Sequence, residues 1–280
     1  MTDVPRLMFL TVVLWTVGMW LVLPGRGNGR RCMGAALLAV AFTLGAAHMP
    51  RTGTLATDAA VLVLVAATVA GAVGTVAARK LTGSAAWLVP AVVGHAGLVL
   101  FARAPAAAAA GSVVFAWALL AALLFVFLRR EAKGNVLDAG ACWEPALSAA
   151  AATVFASLVA LSTTAALRSR GATDPGELAL ANRLLVVGAL LSGIGLTGIL
   201  ARRNLLVSFF ALGLFLLGAI LSLVAFGTLH EDRGGEMLAV VAMAATVFHT
   251  ALALVLALAA HRHTSSLDVA TYQELGEPNG

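Results

Sequence analysis

Charge is what this sequence has least of: 11% of its 280 residues are charged, against about 25% in an ordinary soluble domain. Apolar residues make up 61%. A water-soluble globule of this length has too little interior to hide that much apolar surface. Intrinsic disorder is excluded by the same excess, because disordered chains are poor in apolar residues. Basic residues outnumber acidic ones, 18 to 13, but they stand singly or in pairs. No dense basic patch of the kind that grips nucleic acid is present. Cysteine is nearly missing. Cys32 and Cys142 are too far apart in sequence for a metal motif, and a disulfide between them is not expected. No nucleophile–base pair, glycine-rich phosphate loop or zinc cluster can be read, so the chain by itself is not expected to be an enzyme.

What is present is a series of apolar runs divided by polar punctuation. Approximate spans are 7–23, 32–49, 58–78, 84–102, 108–128, 146–167, 184–201, 205–227 and 236–260. A membrane-crossing helix needs about 20 such residues. Alternating strand patterning is absent, so the expected fold is all-α, a polytopic transmembrane bundle of nine spans. The run from Leu7 to Leu23 has no small-residue cleavage pattern and is expected to be a retained span.

Lys and Arg in the loops set the orientation. One set of loops holds Arg26, Arg30, Arg31, Arg79, Lys80, Arg129, Arg130, Lys133, Arg202, Arg203 and Arg262. The other holds Arg6, Arg51, Arg103, Arg168, Arg170, Arg183 and Arg233. The larger set marks the cytoplasmic side, with the N-terminus outside and the C-terminus inside. The stretch 168–183 is the most linker-like, with Pro175 and Gly176 expected to break any helix there.

Titratable groups inside a bilayer are costly and point to function. The thirteen acids all fall in loops, tails or span ends, and no Lys or Arg is central. Two histidines are central, His95 in the fourth span and His249 in the ninth. Their charge can change near neutral pH, which makes both proton-relay candidates. Each has a plainer reading as a neutral imidazole bonded to a neighbouring helix. Thr246 and Thr250 beside His249, and Ser192 and Thr197 on the seventh span, could line a hydrated path or simply pack.

The run Gly195-Leu196-Thr197-Gly198-Ile199-Leu200-Ala201-Arg202-Arg203-Asn204-Leu205-Leu206 resembles the first loop of the K subunit of respiratory complex I, the proton-pumping NADH:quinone oxidoreductase. Val224-Ala225-Phe226-Gly227 and the tail around His261-Arg262-His263, Leu267-Asp268 and Glu274-Leu275 fit the same family. This likeness covers about 180–277. Upstream, Ala77-Ala78-Arg79-Lys80, Gly97-Leu98-Val99-Leu100 with Ala104-Pro105, Val113 to Ala118, Leu123 to Val126 and Glu144-Pro145 resemble the J subunit over about 57–167. The chain thus looks like a divergent J–K fusion. It divides into an extra N-terminal hairpin (1–56), a J-like four-helix segment (57–167), an external linker (168–183), a K-like three-helix segment (184–262) and a cytoplasmic tail (263–280). A J subunit usually has five spans. Dropping one lets the J-like part end outside, where the K-like part begins.

The resemblance implies a membrane-arm subunit supporting quinone reduction coupled to proton translocation. NADH, FMN, iron–sulfur clusters and quinone are then held by partner subunits, and none is bound by this chain. The implied partners are the A-, H-, L-, M- and N-type membrane subunits and, through them, the hydrophilic arm, in the inner membrane. The family's two buried glutamates fall here on Gly213 and His249, and a family tyrosine falls on Phe115. The implied proton path is therefore altered or lost. Arg202 and Arg203 occupy the family's functionally sensitive cytoplasmic loop, where plain positive-inside anchoring is the alternative. The rival readings are the C-type subunit of a multisubunit cation/proton antiporter, and a stand-alone structural or transport membrane protein.

Overall fold

A computed structural model describes residues 3–23, 27–47, 55–79, 81–102, 175–230 and 233–264. The spans expected at 108–128 and 146–167, and Phe115 with them, lie outside the described residues. Seven helices are described: α1 (Asp3–Val22), α2 (Asn28–Ala47), α3 (Leu55–Ala77), α4 (Leu81–Phe101), α5 (Pro175–Ala201), α6 (Leu205–His230) and α7 (Arg233–Thr264). They coincide with the seven other apolar runs. Four of them, α2, α3, α5 and α6, are long and apolar enough to cross a membrane, and α1, α4 and α7 hold shorter apolar stretches.

One expectation is corrected. Pro175 and Gly176 do not break a helix; α5 starts at Pro175 and runs unbroken to Ala201. Proline is tolerated in the first turn, where its missing N–H would have had no intrahelical partner. The second half of the expected linker 168–183 is therefore helical, and Arg183 sits inside α5.

Successive helices pack as antiparallel pairs, α1 on α2, α3 on α4, α5 on α6 and α6 on α7, while α3 also meets α5 and α6, and α4 meets α6. One apolar core joins them, from Trp15 and Leu38 through Val65, Leu88 and Leu98 to Leu184, Leu191, Leu214, Ile220 and Met243. Among lipid tails, helices gain little from burying apolar area and hold by close packing instead. α5 packs closely on α6. A Cβ placed on Gly188 would stand 2.7 Å from the Gly218 carbonyl oxygen, and one on Gly195 would stand 2.6 Å from that of Ala211. Only glycine allows backbones that close.

Hydroxyls inside the apolar stretches fold back on their own helices. Thr68 donates to the Leu64 carbonyl (2.7 Å), Thr75 to Gly71 (2.8 Å) and Thr197 to Gly193 (2.9 Å). Each polar group is thereby satisfied one turn back. Ser84 differs, since its hydroxyl crosses from α4 to the Thr75 carbonyl of α3 at 2.6 Å.

Candidate functional site

The seam between α6 and α7 carries the first site. Gly235 of α7 lies on Gly227 of α6, and the His249 ring meets Phe209 edge-on, with centroids 5.7 Å apart at 69°. These two contacts fix an antiparallel register. On α6 they define a stripe through 209, 213, 216, 220, 223 and 227, at helical spacing. Gly213 is buried and lies on that stripe, one turn from Phe209. On α7 the matching stripe passes through the buried Ala239, Met243, Thr246 and Ala253, and His249 lies one turn from Thr246. The two positions singled out by the resemblance, Gly213 and His249, therefore share one seam.

Among the described side chains that seam has little polarity to offer. Gly213 brings no side chain. The Thr246 hydroxyl donates to the Ala242 carbonyl at 2.8 Å. The His249 Nε2 is buried and meets no hydrogen-bond partner. His95, on α4, is fully buried, and neither ring nitrogen has a partner. α6 packs against both α4 and α7, so the two histidines stand on different neighbours of one helix and do not form a pair. Ser192 on α5 is at the limit of bonding range of the Phe215 carbonyl, 3.5 Å.

The second site is at the α5–α6 turn. Three adjacent residues do three separate things there. Asn204 caps α6, its Oδ1 accepting from the N–H groups of Leu206 (3.1 Å) and Val207 (3.3 Å), as the first orphan donors of a helix require. Arg203 is exposed. Arg202 is 5% exposed and donates through Nη2 to the Ala78 carbonyl, past the end of α3, at 2.8 Å. Burial, and next the nearby Arg31 guanidinium, draw its pKa down to about 10. Arg31, from α2, donates through Nε to the Val22 carbonyl at 3.2 Å and through Nη2 to the Ala77 carbonyl. Two cations thus meet at the carbonyl end of α3, where the helix dipole is negative.

Sequence reasoning missed a contact at the other end of the same helices. Arg183 of α5 pairs with Asp58 of α3 at 3.0 Å, with side chains 9% and 16% exposed. A usable signal was there: one acid and one base, each next to the outer end of an apolar run. Treating 168–183 as linker took Arg183 out of consideration.

The helices and these sites define a multi-pass helical membrane protein whose polar groups are held at helix seams and helix ends. Residues 183–277 match the family described as NADH-ubiquinone/plastoquinone oxidoreductase chain 4L. Subunit K of the NADH-quinone oxidoreductase of Campylobacter hominis is 35% identical over 89 residues, 31% of this chain and 88% of that protein. Subunit K 2 of Rhizobium etli is 36% identical over 85 residues, 30% of this chain and 85% of its own length. Subunit K of Flavobacterium psychrophilum is 32% identical over 82 residues, 29% and 77%. No solved structure matches. The chain belongs to the chain 4L, or subunit K, family through its α5–α7 region.

Proposed function

We propose that the chain is a membrane-arm subunit of a complex I-like NADH:quinone oxidoreductase, with its own proton path altered. The observation that carries this is the subunit K match over 183–277, which contains all of α6 and α7 and most of α5. On this reading the arginine end of α3 and α5 faces the cytoplasm and the Asp58–Arg183 end faces outward. The chain crosses the inner membrane nine times, with the N-terminus outside. Residues 57–167 form a J-like segment fused ahead of the K-like one, and 1–56 form an added hairpin.

Electron transfer belongs to partner subunits that hold NADH, FMN, iron–sulfur clusters and quinone. The A-, H-, L-, M- and N-type membrane subunits are the proposed neighbours. In the proton path, one family carboxylate position is Gly213, which cannot hold a proton. The other is His249, a relay candidate in place of the carboxylate, with its Nε2 buried and without a hydrogen-bond partner. Phe115 removes a hydroxyl from a third position. Arg202 and Arg203 occupy the cytoplasmic loop that is functionally sensitive in the family, with positive-inside anchoring as the alternative role.

Two experiments test this. Purification through a tag on this chain is expected to bring the hydrophilic complex I subunits with it. Recovery of antiporter subunits, or of nothing, would refute the assembly. In the reconstituted complex, His249→Ala is expected to lower proton transfer per electron pair and alter its pH profile, with His249→Gln behaving alike. Unchanged values in both variants would leave His249 as a packed neutral ring and the subunit as a brace.

A further inference from the structure

We propose that the ends of α2, α3 and α5 form a binding site for the phosphate of an anionic phospholipid, built on Arg31 and Arg202. The two guanidinium groups converge on adjacent carbonyls, Ala77 and Ala78, although they repel each other. The carbonyl end of α3 compensates only about half a charge, so the pair keeps a surplus of more than one positive charge. The carboxylates whose side chains are described, Asp58 and Glu177, lie in the first turns of α3 and α5. A helix the length of α3 puts Asp58 about 30 Å away.

The donors are also unfilled. The Arg202 Nη1 is buried and has no partner, and a buried guanidinium nitrogen left unbonded is expensive. Arg31 uses Nε and Nη2 on carbonyls and is half-buried, which leaves its Nη1 for a further acceptor. Exposed Arg30, Arg79 and Arg203 ring the same end. Two fixed guanidinium groups around a phosphate is an arrangement that planar, multidentate donors favour.

The depth argues for a lipid source. Trp87 packs on Gly74, one turn before Ala77 in α3, and is 48% exposed. Half-exposed tryptophans beside a helix end mark the headgroup level of a bilayer.

The test is thermal unfolding of the full chain in neutral-detergent micelles, titrated with dioleoylphosphatidylglycerol, dioleoylphosphatidylcholine or inorganic phosphate. A saturable rise in midpoint is expected with phosphatidylglycerol alone. Each of Arg31→Gln and Arg202→Gln is expected to weaken it about five-fold, the worth of one arginine at an anionic surface. Arg202→Lys, which keeps the charge and one donor for Ala78, is expected to weaken it less. Raising NaCl from about 0.05 to about 0.5 M should weaken wild-type binding, because screening shortens the reach of the charges; this arm needs no variant to fold. Equal response to phosphatidylcholine, wild-type titration by the glutamine variants, or no effect of salt would overturn the site. Saturation by inorganic phosphate at the same concentration would overturn the lipid as its source.

Discussion

The Asp58–Arg183 pair lends itself to a quantitative test. At 3.0 Å and an effective dielectric constant of about 20, its gross Coulomb attraction is about 5 kcal/mol. Desolvation of the two groups cancels much of that. Removing one partner exposes the remainder as a cost, because the other charge stays in a poorly solvated place. For buried pairs this costs about 3–5 kcal/mol, and the 16% exposure of Asp58 places this pair at the lower end. Asp58→Asn, which keeps the side chain's size, and Arg183→Gln, which shortens it but keeps it polar, should therefore each destabilise by about 3 kcal/mol. The double variant should cost far less than the sum, since no lone charge is left behind. The assay is equilibrium unfolding of the full chain in mild detergent titrated with sodium dodecyl sulfate, followed by circular dichroism and analysed as a double-mutant cycle. A coupling energy under about 0.5 kcal/mol would equal that of an exposed surface pair. It would refute the claim that this pair clamps α3 to α5.

Two further outcomes follow from the packing. Gly195→Ala should destabilise by about 1–3 kcal/mol, the usual cost of overpacking, because its Cβ would stand 2.6 Å from the Ala211 carbonyl and 2.5 Å from the Phe215 nitrogen, both backbone atoms. Gly29→Ala, with nothing within 4 Å of the new methyl, should be neutral or slightly stabilising by the same unfolding assay, and equal losses at both positions would refute the close-seam reading. His95→Leu removes a buried ring with no partner on either nitrogen, so stability should hold or rise by about 1 kcal/mol; a loss above about 2 kcal/mol would mean that the imidazole is bonded after all.

Much of the fold could be read from periodicity and composition. Long apolar runs leave a chain in lipid no alternative but to satisfy its backbone within helices, so the seven described helices coincide with expected spans. The α5–α6 turn was legible for a similar local reason: Asn204 is a good cap and sits between two apolar runs. Misreading Pro175 came from treating proline as a breaker at the one helix position that accepts it.

What the sequence by itself determined is therefore the helices, their approximate ends, and the scarcity of titratable groups between them, because those follow from each residue's preference for lipid or water. Only the tertiary structure decided which groups meet. It joined Asp58 to Arg183, set Arg31 of α2 beside Arg202 at the end of α3, and put Gly213 and His249 on one seam. Those pairings depend on which faces interlock and in what register. Glycine contacts and helix-end carbonyls fix that register between segments far apart in sequence, and no local pattern encodes it.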